Sequence, residues 1–452
     1  MTETLLTASS GSSNQTTDNP LMTVVQQDSG VGSLDPPSAR VSADGRQVAF
    51  ASYAQLLPGD TNRVRDVYVL DLLTRQLTLE SLGRDQSSAN GDSFAPDISG
   101  DGRYVVFVSS AGNLGDAPMP SGTPRVFLRD REQHITRDLT INTAGQPADG
   151  WSGSPVISAD GMTIAFESTA SDLVEDGTTT HTPAVYVIRL PAGLCERVSV
   201  SSAGRATMGP GVSPSVNADG RYVAFISTAD LTCGGAARCR PDTSGVPDVY
   251  LRDTLTHTTR RLIARHTGDA PNEARYHPAL SGDGRYVAFV SESPALQHLR
   301  RRSPQVYVYD TRTDQTDLVS RSPNGRPANA ASTRPTLSYD GARVAFQSLS
   351  SDLLCQRKCS GVEQDTNLVW DIFLRDRRAG RTYRVSADAA EPQTNIEEHR
   401  SQRATDKQEW MESSRGPSLD RTGRVLAFSS RHPRNIQDEQ HDEDLYIWFA
   451  KP

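Results

Sequence analysis

The sequence predicts an all-β fold, a seven-bladed β-propeller of four-stranded antiparallel blades closed by an N-terminal strand. Three observations predict it. One phrase recurs seven times along the 452 residues, further strand-like segments follow the copies at regular intervals, and the last copy lacks a segment that stands unpaired before the first. The 34 Gly and 27 Pro residues make the chain rich in turns, as many short strands require.

The recurring phrase consists of a short apolar segment, an Asp-Gly turn (Thr-Gly in the last copy) and an alternating run such as Arg-Tyr-Val-Ala-Phe. This pattern is typical of two antiparallel strands joined by a tight turn in which Gly adopts a positive φ. The turn glycines are 57, 59, 59, 64, 57 and 82 residues apart. They are Gly45, Gly102, Gly161, Gly220, Gly284, Gly341 and Gly423. Such regular spacing predicts one structural unit per copy.

A third strand is predicted where segments like DVYVLD begin, at residues 66, 125, 184, 248, 305, 371 and 444. A fourth strand-like segment follows in the first six copies, beginning with LTLES at residue 77. Four antiparallel strands per repeat are the blade of a propeller. The seventh copy stops after its third strand, whereas MTVVQQ at 22–27 precedes the first copy without a partner. We therefore expect residues 22–27 to complete the last blade beside residues 444–449, which removes two exposed sheet edges.

The phrase resembles the TolB-like, WD-repeat-like propeller repeat of bacterial proteins, in which S-x-D-G-[KR]-x-[IV]-A-F-x-S marks each blade. The resemblance covers about residues 22–452 and implies a β-propeller. The repeat here is longer than the period of about 40–45 residues usual for such blades, and no Trp-Asp dipeptide closes each blade. Propellers host binding, scaffolding and catalysis alike, so the resemblance implies no particular activity.

Composition predicts the domain organisation and excludes some classes of function. Residues 1–20, rich in Ser, Thr, Asn and Gln, are predicted to be a disordered tail, and residues 21–452 the propeller. The tail has neither a basic segment nor an apolar one, so we expect a cytoplasmic protein, or one released without a classical signal peptide. A net charge of −8 argues against nucleic-acid binding. No run of 18 apolar residues predicts a membrane span.

The loops between second and third strands are longest in blades 4 and 6, and each carries a cysteine pair. The pairs are Cys233 with Cys239 and Cys355 with Cys359, while Cys195 stands alone. Three interpretations stay open for the pairs: two local disulfides, four reduced thiols, or a zinc site that lacks the usual spacing and a nearby His.

An oxygen-rich pattern, D-x-N-x-x-x-D, precedes the third strand in two blades. Its residues are Asp60, Asn62 and Asp66 in blade 1, and Asp365, Asn367 and Asp371 in blade 6. Oxygen ligands at alternating loop positions suit a hard cation such as Ca²⁺. The same residues also cap turns through their own backbone. Calcium is the one cofactor that the sequence suggests, and no other is expected.

Two surfaces are predicted to bind. Aromatic and basic residues before the first strands should gather at one mouth of the central channel, where propellers commonly bind ligands. They are Trp151, Arg275, Tyr276, His277, Arg334 and Arg415. On the face with the long loops, Trp370 and the charged insertion at 388–416, with Trp410 as its large apolar residue, should contact a partner.

The sequence contains no G-x-S-x-G, H-E-x-x-H or phosphate-binding glycine motif, and the blades use the chain fully. We therefore expect a non-catalytic propeller, not an enzyme, that presents loops to a protein partner, either by itself or as a component of a larger assembly. The alternative is a propeller that binds carbohydrate or another small ligand, with calcium ordering its loops. A hydrolase or lyase acting in the channel is a third interpretation.

Overall fold

The computed structural model describes residues 21–25, 39–115, 122–177, 179–206, 209–232, 246–262, 275–292, 303–354, 369–386, 414–430 and 444–450. Within these ranges the chain forms seven four-stranded antiparallel sheets, and the predicted seven-bladed propeller is confirmed. The predicted tail at 1–20 lies outside the described residues, as does nearly all of the insertion at 388–416.

Each blade contributes one strand to each of four concentric positions. The innermost strands are β2 (Arg40–Val41), β6 (Ser93–Ile98), β10 (Ser152–Ile157), β14 (Gly211–Val216), β18 (Arg275–Leu280), β22 (Ser332–Leu337) and β26 (Ser414–Leu419). The second strands are β3 (Gln47–Ser52), β7 (Tyr104–Ser109), β11 (Thr163–Ser168), β15 (Tyr222–Ser227), β19 (Tyr286–Ser291), β23 (Arg343–Ser348) and β27 (Val425–Ser430). The third strands are β4 (Asp66–Asp71), β8 (Arg125–Asp130), β12 (Ala184–Arg189), β16 (Asp248–Asp253), β20 (Gln305–Asp310), β24 (Asp371–Asp376) and β28 (Asp444–Phe449). The outermost strands are β5 (Leu77–Leu79), β9 (Ile135–Asp138), β13 (Leu194–Arg197), β17 (Thr258–Arg261), β21 (Gln315–Leu318), β25 (Arg381–Arg384) and β1 (Leu21–Val25).

The last blade is assembled from both ends of the described chain, as predicted. Strand β1 pairs antiparallel with β28, and Leu21 lies opposite Trp448. The strand order in this blade is β1-β28-β27-β26, so β1 takes the outermost place that β5 or β9 takes elsewhere.

Every blade has the same aromatic pair in its middle. A Phe from the second strand stacks on a Tyr or Phe from the third strand, with ring centroids 5.6–6.0 Å apart and planes inclined by 21–25°. These rings are buried, and the Val, Ile, Leu and Ala side chains of neighbouring blades pack around them. The repeated Ala-Phe of the sequence phrase is therefore the packing unit between sheets.

The arginine after the turn glycine pairs with the aspartate that ends the third strand. Arg103–Asp130, Arg221–Asp253 and Arg285–Asp310 have N–O distances of 2.7–2.8 Å. Each pair joins the Asp-Gly hairpin to the next hairpin of the same blade. Among the described residues there is no helix, and so none that could cross a membrane.

Candidate functional site in the central channel

The innermost strands of all seven blades surround a central cavity of about 370 Å³. A cavity of this size accommodates a small ligand or one end of a longer one. Three arginines and two aspartates line it, whereas the whole chain carries a net charge of −8. They are Arg40, Arg334, Arg421, Asp97 and Asp420. The cavity wall is thus locally less acidic than the molecule.

At one end of the channel, the hub end, the blades are joined by a closed ring of backbone hydrogen bonds. Each N–H donates to a carbonyl of the next blade at 2.8–3.1 Å. The seven donor–acceptor pairs are Asp44–Gly100, Gly100–Ala159, Asp160–Ala218, Ala218–Gly282, Asp283–Tyr339, Tyr339–Arg421 and Arg421–Ala43. Arg421 also lies over the ring of Tyr339, 4.4 Å from its centroid. The ring is made by backbone N–H and C=O groups, and its aspartates use their carboxylates within their own turns, as Asp44 does with Ser42.

At the opposite end, the mouth, the innermost strands enter through a bulge just before a proline. The register with the second strand shifts at this point in six blades, for instance between Tyr276 and Ala279. The residue before the proline has a positive φ of 48–61°. These residues are Ala95, Ser154, Ser213, His277, Arg334 and Gly416. Five of them are not glycine, and each of these carries a conformational cost of about 1–2 kcal/mol.

The bulge places His277 and Arg334, from neighbouring blades, on the wall of the cavity. Both side chains are exposed to the channel. Protein surrounds the imidazole on its other sides, and this limited solvation together with the charge of Arg334 lowers the pKa of His277 to about 4. The ring of Tyr276 meets the imidazole edge-on at 5.4 Å, and the Tyr276 hydroxyl donates to Glu292 at 2.9 Å. His277 is therefore neutral at pH 7, beside a fixed positive charge.

Two acidic side chains join neighbouring blades: Asp97 on the cavity wall and Glu167 on a second strand. Asp97 Oδ2 accepts the backbone N–H of Ile157 at 2.8 Å, and Arg40 Nε lies 3.8 Å from Asp97 Oδ1. Burial raises the pKa of Asp97, and the charge of Arg40 opposes that effect. Glu167, buried on β11, accepts the backbone N–H of Ser213 at 2.6 Å, and burial likewise raises its pKa. This contact fixes the bulge that carries Ser213.

The mouth residues predicted from sequence lie at different depths. His277 and Arg334 line the cavity, whereas Trp151, Tyr276 and Arg415 lie on or next to innermost strands beside it. Trp151 is 36% exposed and its ring covers Gly153. Arg275 begins β18, opposite Ser291 of β19. That these residues act together on one ligand stays a prediction.

Most of the predicted loop surface lies outside the described residues, including Trp410 and both cysteine pairs, Cys233 with Cys239 and Cys355 with Cys359. Trp370 is half-buried and directly precedes β24. Cys195 is a free thiol on β13, and burial followed by the charge of Glu196 raises its pKa to about 12.

The carboxylate pattern of blade 1 forms a buried cluster. Asn62 Nδ2 donates to Asp66 Oδ2 at 2.7 Å, the Ser81 hydroxyl donates to Asp66 Oδ1, and the Tyr68 hydroxyl donates to Asp60 Oδ2. Burial raises the pKa of Asp66 to about 6, against the hydrogen bonds from Ser81 and Asn62. In blade 6, Asp365 and Asn367 lie outside the described residues, and Asp371 begins β24. The described residues contain no group of three or more His, Cys, Asp or Glu side chains that could hold a metal ion.

Sequence reasoning missed Asp97, Glu167 and Ser213. Asp97 stands in the segment SFAPDIS, and a carboxylate next to a proline on an innermost strand is the signal that could have identified it. Glu167 stands in the phrase FES, at a position where the other copies have Ala, Val, Ile, Gln or Ser, so it is the one charged residue there. A charge at a position that should be buried was visible in the alignment of the repeats.

Comparison with known proteins finds no matching family model and no matching curated protein. The fold is shared with solved structures at low identity. Oligogalacturonate lyase from Vibrio parahaemolyticus is 14% identical with a TM-score of 0.54, and the alignment covers 95% of this chain and 93% of that one. Acylaminoacyl peptidase from Pyrococcus horikoshii is 11% identical with a TM-score of 0.50, over 91% of this chain and 51% of that one. TolB from Acinetobacter baumannii is 15% identical with a TM-score of 0.39, over 92% and 82%.

These neighbours correct the expectation of a non-catalytic scaffold, which was wrong. That expectation assumed that a chain used fully by its blades has no room for catalysis. The lyase is matched over 93% of its own length, so a protein with almost nothing beyond this fold is an enzyme. The missing sequence motifs carry no weight here, because ring closure brings together side chains that are far apart in sequence.

Proposed function

We propose that the chain is a lyase that acts on the end of an acidic carbohydrate in the mouth of the central channel. The observation that carries this proposal is the neutral imidazole of His277 beside the guanidinium of Arg334 on the cavity wall. A base next to a carboxylate-binding cation is what elimination from a uronic acid requires. The fold shared with an oligogalacturonate lyase supports the choice of substrate class.

Arg334 would bind the carboxylate of the sugar. A guanidinium forms two parallel hydrogen bonds with a carboxylate, which fixes the orientation of the ring as well as its position. Arg40, also on the cavity wall, is 38% exposed, and its ion pair among the described residues is the 3.8 Å contact with Asp97. It provides a second site for an acidic group of the ligand. Binding of the carboxylate also increases the acidity of the proton on the adjacent carbon.

His277 would remove that proton. The electron pair of the C–H bond forms a carbon–carbon double bond, the glycosidic C–O bond breaks, and the departing oxygen takes a proton from channel water. Desolvation by the surrounding protein, together with the charge of Arg334, keeps His277 neutral before the substrate arrives. A bound carboxylate then cancels the charge of Arg334, so the pKa of His277 rises and the imidazole becomes a stronger base once substrate is present.

The test is to incubate the purified chain with oligogalacturonides and follow the ultraviolet absorbance of the unsaturated product. We expect product from uronate oligomers and none from neutral maltooligosaccharides. His277→Ala should lower kcat by about 100-fold or more. Arg334→Gln should raise KM as well, since it removes the carboxylate contact.

The matched control is Ala95→Gly, which changes the same bulge position in blade 2 without touching His277 or Arg334. It should keep full activity. Absence of unsaturated product from every uronate tested, or full activity in His277→Ala, would rule out the proposed chemistry.

We also infer that the repeat belongs with the TolB-like, WD-repeat-like kind. The copy LSGDGRYVAFVS at residue 280 agrees with the blade signature of that group at every defined position. A sequence profile built from the seven copies of this chain should score TolB-like blades above eukaryotic WD repeats. The reverse order of scores would contradict this assignment.

A further inference from the structure

An arginine recurs on the outermost strand, at the residue that pairs with the third-strand aromatic. It is Arg197 in blade 3, Arg261 in blade 4 and Arg384 in blade 6. Their side chains are only 4–11% exposed. A buried guanidinium needs a countercharge, and each one has a carboxylate within 4 Å.

The carboxylate comes from one of two places. In blades 4 and 6 it is the first residue of the third strand, Asp248 or Asp371, at 3.3 and 3.9 Å. In blade 3 it is Asp176, which lies in the loop before the third strand, at 3.3 Å. A carboxylate at the start of the third strand and one in the loop before it therefore contact the same site. In blades 3, 4 and 6 the guanidinium of the outermost strand occupies that site.

Blade 1 has both carboxylates and no arginine. Asp66 begins its third strand, and Asp60 stands as far after Ser52 as Asp176 stands after Ser168. The residue opposite the third-strand aromatic Tyr68 is Leu79. Blade 5 also lacks the arginine, but there Leu318 is accompanied by the neutral Gln305 in place of the aspartate. Blade 1 therefore has both carboxylates but lacks the arginine that pairs with such a carboxylate in blades 3, 4 and 6.

Both carboxylates of blade 1 are buried. Asp66 is 0% and Asp60 5% exposed, and Asp60 Oδ1 has no hydrogen-bond partner. Among the described residues, no Lys, Arg or His nitrogen forms an ion pair with either. Their hydrogen bonds come from the neutral groups of Asn62, Ser81 and Tyr68, which supply no charge. Two adjacent buried carboxylates without a countercharge are strongly destabilising.

We propose that blade 1 binds a calcium ion between Asp60 and Asp66, in the space that a guanidinium fills in blades 3, 4 and 6. Oxygen ligands from carboxylates suit Ca²⁺, and its two positive charges balance both acids. Asp60 Oδ1 is the first ligand, because it has no other partner. Bound calcium links the loop that contains Asp60 to the start of β4. This site does not depend on the activity proposed for the channel.

The test compares calcium binding and thermal unfolding of the full chain after treatment with EDTA and dialysis. Adding CaCl₂ should raise the Tm by about 2 °C or more. Asp60→Asn should abolish that rise and lower the calcium bound, measured by equilibrium dialysis, by one equivalent per chain.

Two further variants make the test specific. Leu79→Arg restores the guanidinium of the other blades, so it should lose the bound calcium and unfold at the same Tm with CaCl₂ as with EDTA. Asp138→Asn is the matched control. In blade 2, Asp138 already pairs with Arg125 at 2.6 Å, so this variant should keep the full rise in Tm on adding calcium, whatever its starting stability.

An unchanged Tm in the wild-type chain at millimolar CaCl₂, with no bound calcium, would overturn the proposal. So would an Asp60→Asn or Leu79→Arg variant that keeps the equivalent of calcium. If a variant fails to fold, binding to the wild-type chain together with the other variant still decides the question.

Discussion

The two ends of the central channel are built on different principles. The hub end is closed by seven backbone hydrogen bonds, which join N–H and C=O groups of Ala, Gly, Asp, Tyr and Arg residues. The mouth is formed by six bulges that hold five non-glycine residues at a positive φ. The hub end stabilises the ring, and the mouth is maintained at an energetic cost that the rest of the ring has to offset.

This difference indicates where function lies. Backbone bonds make no demand on side-chain chemistry, so the hub can be the same in every blade. The mouth varies from blade to blade, with Ala95, Ser154, Ser213, His277 and Arg334 at one equivalent position. A strained position whose side chain changes around the ring is suited to ligand binding, and three predictions test this division of roles.

The largest effect on stability is expected at the hub. A Cβ added to Gly100 would lie 2.7 Å from the carbonyl oxygen of Ala159 and 3.0 Å from the Cβ of Ala43, so Gly100→Val would push two blades apart. We expect a loss of about 2–3 kcal/mol in the free energy of unfolding, measured by urea denaturation. Gly59→Val is the control, because a Cβ there meets nothing within 4 Å. Equal losses in both variants would contradict the assigned role of the hub.

Substitutions at the mouth should raise the free energy of unfolding, in contrast to those at the hub. His277 has a φ of 53° and Ala95 a φ of 49°, which glycine adopts without strain. We expect His277→Gly and Ala95→Gly each to raise the free energy of unfolding by about 1 kcal/mol. Only His277→Gly should lose the proposed lyase activity. If neither variant is stabilised, the positive φ carries no strain and the contrast between the two ends fails.

The smallest expected effect is the pH dependence of stability that comes from the lowered pKa of His277 at the mouth. The folded-state pKa of His277 is lowered to about 4, below the ordinary value of 6.5, so protons bind the unfolded chain more readily. The contribution of this residue to stability is therefore full above about pH 6.5 and is lost as the pH falls towards 4. NMR titration should find one imidazole, absent from His277→Ala, that titrates near pH 4. Arg334→Gln should move it towards 6.5, and an unchanged value would mean that Arg334 does not act on His277.

The blades could be predicted because their pattern is local. Alternation, a turn glycine and an aromatic at fixed spacing specify each hairpin, as in residues 280–291. The contacts across blades could not, because Asp97 with Ile157, or Glu167 with Ser213, depend on how one sheet is placed against the next. The positive φ of His277 was also beyond prediction, since a residue before proline ordinarily takes an extended conformation. In the folded chain His277 lies in the bulge between Tyr276 and Ala279, where the register with β19 shifts.

The pairing of β1 with β28 determines when the ring can close during synthesis of the chain. Strand β1 ends at Val25, and its partner reaches to Phe449. At roughly 5–20 residues per second, β1 waits on the order of a minute for that partner to leave the ribosome. Through this interval blades 1 to 6 can form in order, while β1 and the open edge of the growing ring stay exposed. The nascent chain therefore has one long period of vulnerability to aggregation, which ends in a single final step.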